Sequence, residues 1–506
     1  MTEPLRLLWI ILPVIPLVTG VLVMTCSYLF SRQWAFQIAA AGIAGLAASA
    51  IAATLLGLSV EGSHEIALMD SGFAIVFLYE TEKLFFLWAL MIPTLLSLLR
   101  LRTLSSPQMV MIFLFYLSGC TGLVVTGDIF NFFVFYELMI MGAYVLISIK
   151  GEYGASVKYM IFGAASSAIF LAGIVMLYSS GAYFSYSFIH ELTGLSEINI
   201  AVAIFLFMGA FFVKGAFFPV SGWVAPCHSA ANSLVSAFLA SFTIFSSVLG
   251  LYYMVLLPAE AIGFTQVFSL LRGMAIATII AGAFFLFGED QFKRVIAAST
   301  VFSVGVVALL LSFRLYEPAF MYILVHGAYK SLLFYSYDDI TQQGLRITIP
   351  LATVLLMIPV LFYTAGFSPA VTGSLKLDIP AGWYQWLKPL FIAAGGLVTA
   401  GFAKFPLGIS GTLFSLPVLI AAGLLGAATV LLHHLGIPPA GSFVMELGVF
   451  FIAVPAGRLL YGRLPVLHRI DRRVFYRTLN QELLLILILL MVSWAVLFII
   501  PVQTLR

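Results

Sequence analysis

The sequence predicts an all-α polytopic membrane protein with about 14–16 transmembrane helices. Three observations carry that expectation. Only 9% of the 506 residues are charged, against about 25% in a soluble domain, while 62% are hydrophobic and the mean hydropathy is +1.12. Apolar runs of roughly 20 residues, enough for a helix to cross the hydrocarbon core, recur along the whole chain. Lys and Arg are sorted into alternate loops.

The candidate spans lie near 7–29, 34–58, 84–99, 110–126, 129–149, 159–179, 200–218 and 232–257, then 268–287, 295–313, 319–337, 349–364, 387–403, 414–435, 443–460 and 483–501. The first is too long for a signal peptide and lacks a small-residue cleavage site, so it reads as a transmembrane helix. No polar stretch is long enough to fold alone. The chain divides into N-terminal helices (1–109), two central units (110–257 and 258–404) and C-terminal helices (405–506).

One set of loops holds Arg32, Arg100 and Arg102, Lys150 and Lys158, Lys293 and Arg294, Arg346, Lys404 and the basic stretch 458–477. The opposite set is poor in these residues, and 60–71 and 180–199 contain none. The positive-inside rule makes the first set cytoplasmic and both termini external, in the inner (cytoplasmic) membrane of the cell. One inside segment, 219–231, also lacks Lys and Arg. A net charge of +3 offers no nucleic-acid footprint. Cys26, Cys120 and Cys227 are widely spaced and match no metal or disulfide pattern.

A charge at the bilayer centre costs at least ~2.5–3.5 kcal/mol on insertion scales, so charges inside spans are candidate functional groups. Glu137 stands in an otherwise uncharged helix that begins after Asp128. The bland alternative is a structural carboxylate paired with a neighbouring helix. Lys214 ends an uncharged span, and Gly215, Pro219, Gly222 and Pro226 follow it. A regular helix does not continue through such a segment, and broken helices inside membranes line cavities or lie buried in protein. The alternative there is a re-entrant turn with Lys214 snorkelling outward. His228 follows, with a side chain whose ordinary pKa suits proton exchange. His326 and Lys330, four residues apart, share a helix face. Lys376 follows another Gly/Pro interruption at 364–375, and an extramembrane loop lysine is the competing reading. Glu446, after Gly436-Ile-Pro-Pro-Ala-Gly, competes for the same role. A carboxylate helix followed by a broken helix with lysine, then a His/Lys helix followed by a second break with lysine, reads as two copies of one unit.

These residues resemble the antiporter-like proton-translocating subunits of respiratory complex I, Mrp-type Na⁺/H⁺ antiporters and membrane-bound hydrogenases. Asp128 to Glu137 looks like that family's stretch ending in its essential carboxylate. Lys214, Pro219, Trp223, Pro226, His228 and Ser236-Ala-Phe-Leu-Ala follow its broken-helix signature. Lys293-Arg is similar to its Lys-Arg helix start, His326-x-x-x-Lys330 to its His/Lys stretch, and 365–376 to its second broken helix. The resemblance implies two inverted five-helix repeats with discontinuous helices and a polar axis at mid-membrane. It implies no metal or organic cofactor in this subunit, and it places any redox chemistry in partner subunits. The ion pathway it implies runs through Glu137, Lys214, His228, His326, Lys330 and Lys376 or Glu446, with Asp128 and Lys293 as possible ion entries.

The chain also departs from the family. The position of a second lysine, on the helix after the broken one, is Phe245; that helix otherwise offers the hydroxyls of Thr243, Ser246 and Ser247. Hydroxyls hold water but are poor resting places for a proton. The usual aspartate before Lys293 is Gln291, with Asp290 adjacent. Three functions follow: a proton-translocating subunit of a multisubunit energy-converting complex, a Na⁺/H⁺ antiporter module with Na⁺ at Glu137 or Asp128, or a non-conducting scaffold. The expected partners are other membrane subunits, soluble redox or catalytic subunits, and H⁺ or Na⁺.

Overall fold

The computed structural model describes residues 3–57, 64–67, 75–179, 185–186, 197–337, 341–343, 346–350 and 407–410, together with Trp383, Leu387, Leu390, Ala394 and Val398 in helical conformation. Every span read from the sequence up to Tyr337 has a helix or a bent helix pair in its place. Among the described residues, 8 helices are long and apolar enough to cross a membrane, or 9 when the bent pair counts as one span.

The first expected span is that bent pair. α1 (Glu3–Ile11) and α2 (Val14–Leu29) meet at 49°, with Pro13 at the junction. Proline lacks an N–H and crowds the preceding turn, which breaks a single helix there. α3 (Arg32–Gly57), α4 (Thr81–Arg100), α5 (Pro107–Val125), α6 (Ile129–Ile147) and α7 (Tyr153–Ser179) follow. Capping residues set two of the starts. Ser106 accepts the Met109 N–H ahead of Pro107, and the Asp128 side chain accepts the Asn131 N–H at the head of α6.

α8 (Glu197–Lys214) is the first half of a broken helix. It ends at the lysine, and Ala216 adopts a left-handed φ of 58° just beyond. A 3₁₀ turn (Val220–Trp223) then leads into the short α9 (Val224–Ala230). The expected span 200–218 therefore stops at Lys214, where Gly215 and Pro219 end the helix.

The next helix runs continuously from Ser233 to Ala261 but is not uniform. It comprises α10 (Ser233–Phe238), α11 (Ser246–Leu251) and α12 (Leu257–Ala261), joined by π-turns at Leu239–Thr243 and Tyr252–Leu256. A π-turn inserts one extra residue, and such turns gather at functional sites. α13 (Gln266–Gly288), α14 (Phe292–Ser312) and α15 (Tyr316–Tyr337) complete the described helices. α13 and α14 pack closely through small residues: a Cβ on Gly305 would stand 2.7 Å from the Ile279 backbone nitrogen.

The apolar windows of the Ser233–Ala261 helix and of α14 are wholly buried, whereas α3, α6 and α13 leave more than half of theirs uncovered. The two buried helices form the core of the described bundle, and the outer helices carry exposed Leu, Val and Phe side chains such as Leu55, Val134 and Phe284. That inside-out distribution is the one a bilayer stabilises. Short strands β1 (His64–Ala67) and β2 (Val76–Tyr79) pair antiparallel, and Trp9 donates to the Leu78 carbonyl at 3.0 Å, which ties α1 to β2. β3 (Thr341–Gln343), β4 (Arg346–Pro350) and β5 (Leu407–Ser410) make a second small sheet.

Candidate functional site

Two networks of buried polar residues lie on either side of the Ser233–Ala261 helix. The first surrounds Lys214, which is 2% exposed. Its ammonium donates to the Tyr159 hydroxyl from α7 and lies 3.9 Å from the Tyr159 ring centroid and 5.7 Å from that of Trp223. Trp223 is held by its own indole N–H, which donates to the Val213 carbonyl at 3.2 Å. The position at the carboxyl end of α8 also favours a cation, because the last carbonyls of a helix carry partial negative charge. Lys214 is thus held inward and does not snorkel.

Glu137 sits on α6 near this network without joining it by an ion pair. Its buried Oε1 has no hydrogen-bond partner among the described residues. The flanking Val134 and Met141 on the same face are exposed, at 48% and 53%. The neighbouring Tyr136 hydroxyl bonds Ser166 at 2.7 Å, and Ser166 donates to the Ala210 carbonyl at 2.8 Å, so α6, α7 and α8 are laced together beside the carboxylate.

The second network centres on α15. His326 and Lys330 are both fully buried, on the shared face their spacing predicts. His326 Nδ1 is 2.8 Å from the Tyr329 hydroxyl, while Nε2 has no partner among the described residues. The Lys330 ammonium donates to Ser299 Oγ and to the Ile296 carbonyl of α14. Ser303 extends the row, 3.4 Å from Tyr329 and 3.3 Å from Tyr322.

His228, on α9, is fully buried with both ring nitrogens unpartnered among the described residues. Its ring stacks on Phe334 with centroids 4.9 Å apart. Lys293, at the head of α14, donates to the Ala231 carbonyl and sits 5.6 Å from the Tyr337 ring. Ser229 donates to Gln291 at 3.0 Å, so the end of α9 and the start of α14 share one end of the bundle. Glu289 meets Arg294 there at 3.7 Å.

Asp128 lies at the opposite end. One carboxylate oxygen accepts the Asn131 N–H and the other accepts the Val76 N–H at 3.1 Å, so it caps α6 and pins β2. Burial pushes its carboxyl up to about 6, against the lowering effect of these N–H groups and of Lys83. Lys83 itself is fully buried; it donates to the Thr126 carbonyl and lies 4.9 Å and 5.5 Å from the rings of Tyr253 and Tyr186. The sequence reading placed the span at 84–99 and so left Lys83 at its edge; the signal was the acidic and basic cluster Glu80-Thr-Glu-Lys83 set against an uncharged helix. Tyr159 carries no comparable signal, since nothing in its own segment points to Lys214. Lys376 and Glu446 lie outside the described residues.

A model of the transmembrane family of NADH:quinone oxidoreductases and Mrp antiporters matches residues 126–402. NADH-quinone oxidoreductase subunit N of Desulforudis audaxviator (strain MP104C) is 29% identical over 245 residues, which are 46% of this chain and 49% of that protein. The chain thus spans about half the length of the curated relatives it matches. Two solved structures share the fold. A chain of the membrane-bound sulfane sulfur reductase, an archaeal respiratory membrane complex, superposes with a TM-score of 0.74 at 20% identity, covering 89% of this chain and 99% of that one. A chain of the Mrp complex from Dietzia sp. DQ12-45-1b gives 0.71 at 19% identity, covering 93% and 100%. On the extent of the family match and the multi-pass helical fold, the chain belongs to the NADH:quinone oxidoreductase/Mrp antiporter transmembrane family.

Proposed function

We propose that this chain is a proton-translocating subunit of a multisubunit energy-converting complex in the cytoplasmic membrane, with its basic loops inside. The observation that carries the reading is the pair of buried lysines held by neutral oxygens. Lys214 bonds a phenol, and Lys330 bonds a serine and a carbonyl. Neither has a carboxylate within ion-pair distance among the described residues. A structural buried ammonium is normally paired with an acid. One held by neutral acceptors can change its proton occupancy without breaking an ion pair, and its presence at membrane depth is a functional signal. Coupled sites of this kind pass charge as a unit. Glu137 would complete the first site from the α6 face, where a neighbouring membrane subunit covers Val134 and Met141 and supplies the group its free oxygen lacks. Lys376 or Glu446 would end the second half.

The Na⁺ reading is weaker at Asp128, because backbone N–H groups already occupy both of its carboxylate oxygens. That leaves Glu137 alone. The test is proton translocation by the native complex in everted membrane vesicles, followed with a pH-sensitive dye. Lys214→Ala and Lys330→Ala should each abolish acidification while the complex still assembles. Full acidification with either variant would sink the reading, and acidification that depends on added Na⁺ would favour the antiporter.

A further inference from the structure

Lys83 is fully buried, and neither of the two networks uses it. It stands in the first turn of α4, at the end of the bundle opposite Lys293. Two effects disfavour a cation in that place. Burial strips the ammonium of water, and the unpaired N–H groups at a helix start carry partial positive charge. The surroundings must compensate for both.

Three segments close around the ammonium. It donates to the Thr126 carbonyl at the α5–α6 junction. It lies 5.5 Å from the ring centroid of Tyr186, between α7 and α8, and 4.9 Å from that of Tyr253, in the second π-turn. Both distances fall within the roughly 6 Å over which an aromatic ring attracts an ammonium. The two rings stack with centroids 4.6 Å apart and planes inclined at 14°. Backbone bonds fix this frame: the Gly127 N–H donates to the Val76 carbonyl of β2 at 2.7 Å, and the Tyr186 N–H donates to the Gly127 carbonyl at 2.8 Å. A Cβ on Gly127 would stand 2.8 Å from Leu78 Cβ, so a side chain there would push β2 away. The Tyr253 hydroxyl donates to the Glu80 carboxylate, which holds its ring in place, and the adjacent Tyr252 packs on Tyr316 and Phe320 of α15. A carbonyl oxygen beside aromatic rings is the chemistry of an ammonium receptor.

We propose that this cage is a monovalent-cation site filled by the chain's own ammonium: Lys83 is a tethered cation, and its head group takes the place a small primary ammonium ion would occupy. A tethered group is present at an effective concentration that a free ion does not match, so the site stays closed to cations from solution. Na⁺ is the poorer occupant, because it loses more hydration than aromatic walls return. In the orientation proposed above this end faces outward, and that clause alone rests on the earlier reading. Lys83 then bars external cations from Asp128, two residues beyond Thr126.

The test is thermal unfolding of the detergent-solubilised native complex carrying Lys83→Ala, which empties the site and leaves its walls. The readout is the fraction of this chain left soluble after heating. Ethylammonium chloride should raise the midpoint of this variant by about 3 °C or more over an equal concentration of choline chloride, because a ligand that binds only the folded chain stabilises it by mass action. Sodium chloride should give a smaller shift. The native complex, whose site is occupied, should show no difference between the salts, and neither should Lys83→Met, whose side chain fills the stem's space. Adding Tyr253→Leu to Lys83→Ala should abolish the shift. If Lys83→Ala does not assemble, growth with ethylammonium in the medium should recover assembled complex, and growth with choline should not. Absence of the shift, or of the recovery in a variant that does not assemble, would overturn the site. Equal shifts in the native complex or in Lys83→Met would assign the effect to the salt itself and overturn it as well. The measurement reads binding and not translocation, so the cation site and the proton-conducting reading can each fail without the other.

Discussion

Phe245 meets His326 edge to face, with ring centroids 4.7 Å apart and planes inclined at 66°. This places an apolar ring, at the position where the resemblance implies a second lysine, directly against the imidazole of the second network. A direct polar step from Lys214 through residue 245 is thereby closed. On the other side of the helix the Thr243 hydroxyl meets that of Tyr116 and donates to the Phe238 carbonyl.

Glu137→Gln should lower ion-coupled activity by on the order of a hundredfold while leaving the chain inserted, since a positioned acid or base contributes about that much or more. The side chain keeps its shape and loses its charge. Undiminished translocation in vesicles would mean that the unpartnered Oε1 is structural.

Lys214→Arg separates charge from proton exchange. The guanidinium keeps the positive charge at the end of α8 and its attraction to Tyr159 and Trp223, but it does not give up a proton. Translocation should fall to the level of Lys214→Ala. Retention of most of the activity with arginine would show that the site needs only a fixed cation.

Asp128 gives a pH signature in stability. Burial, opposed by the N–H groups of Asn131 and Val76 and by Lys83, leaves its folded-state pKa at about 6, above the ordinary value near 3.9. Between roughly pH 4 and 6 the folded chain holds a proton that the unfolded chain has lost, so this carboxyl makes stability fall as pH rises through that window and level off above it. Asp128→Asn should flatten that slope in thermal denaturation of the detergent-solubilised protein. An unaltered slope would assign the effect to another group.

The basic loops should face the cytoplasm. Lys150 is exposed at the end of α6 and belongs to that set. In a background free of accessible cysteines, Lys150→Cys should resist a membrane-impermeant thiol reagent in sealed cells and react after permeabilisation. Labelling of intact cells would invert the topology.

The solvent, the fold class and the family were legible in the composition and motifs alone. Burial in lipid forces apolar runs of about 20 residues, and such runs are read one at a time without knowing what packs where. The sequence also marked Lys214, His326 and Lys330, because a charge in a span is costly in any arrangement, and it marked the break after Lys214, because glycine and proline act on their own backbone. Long-range packing set the rest. The bend at Pro13 and the π-turns at Leu239–Thr243 and Tyr252–Leu256 appeared only in the folded chain. Tyr159 and Tyr116 became polar partners only when α7 and α5 packed against α8 and the helix after it, 55 and 127 residues away from their partners. Lys83 looked interfacial by position and is buried because Tyr186 and Tyr253 close over it. A hydrophobic pattern reports how much each segment wants to leave water; which polar atoms then face one another is set by long-range packing, which no local spacing encodes.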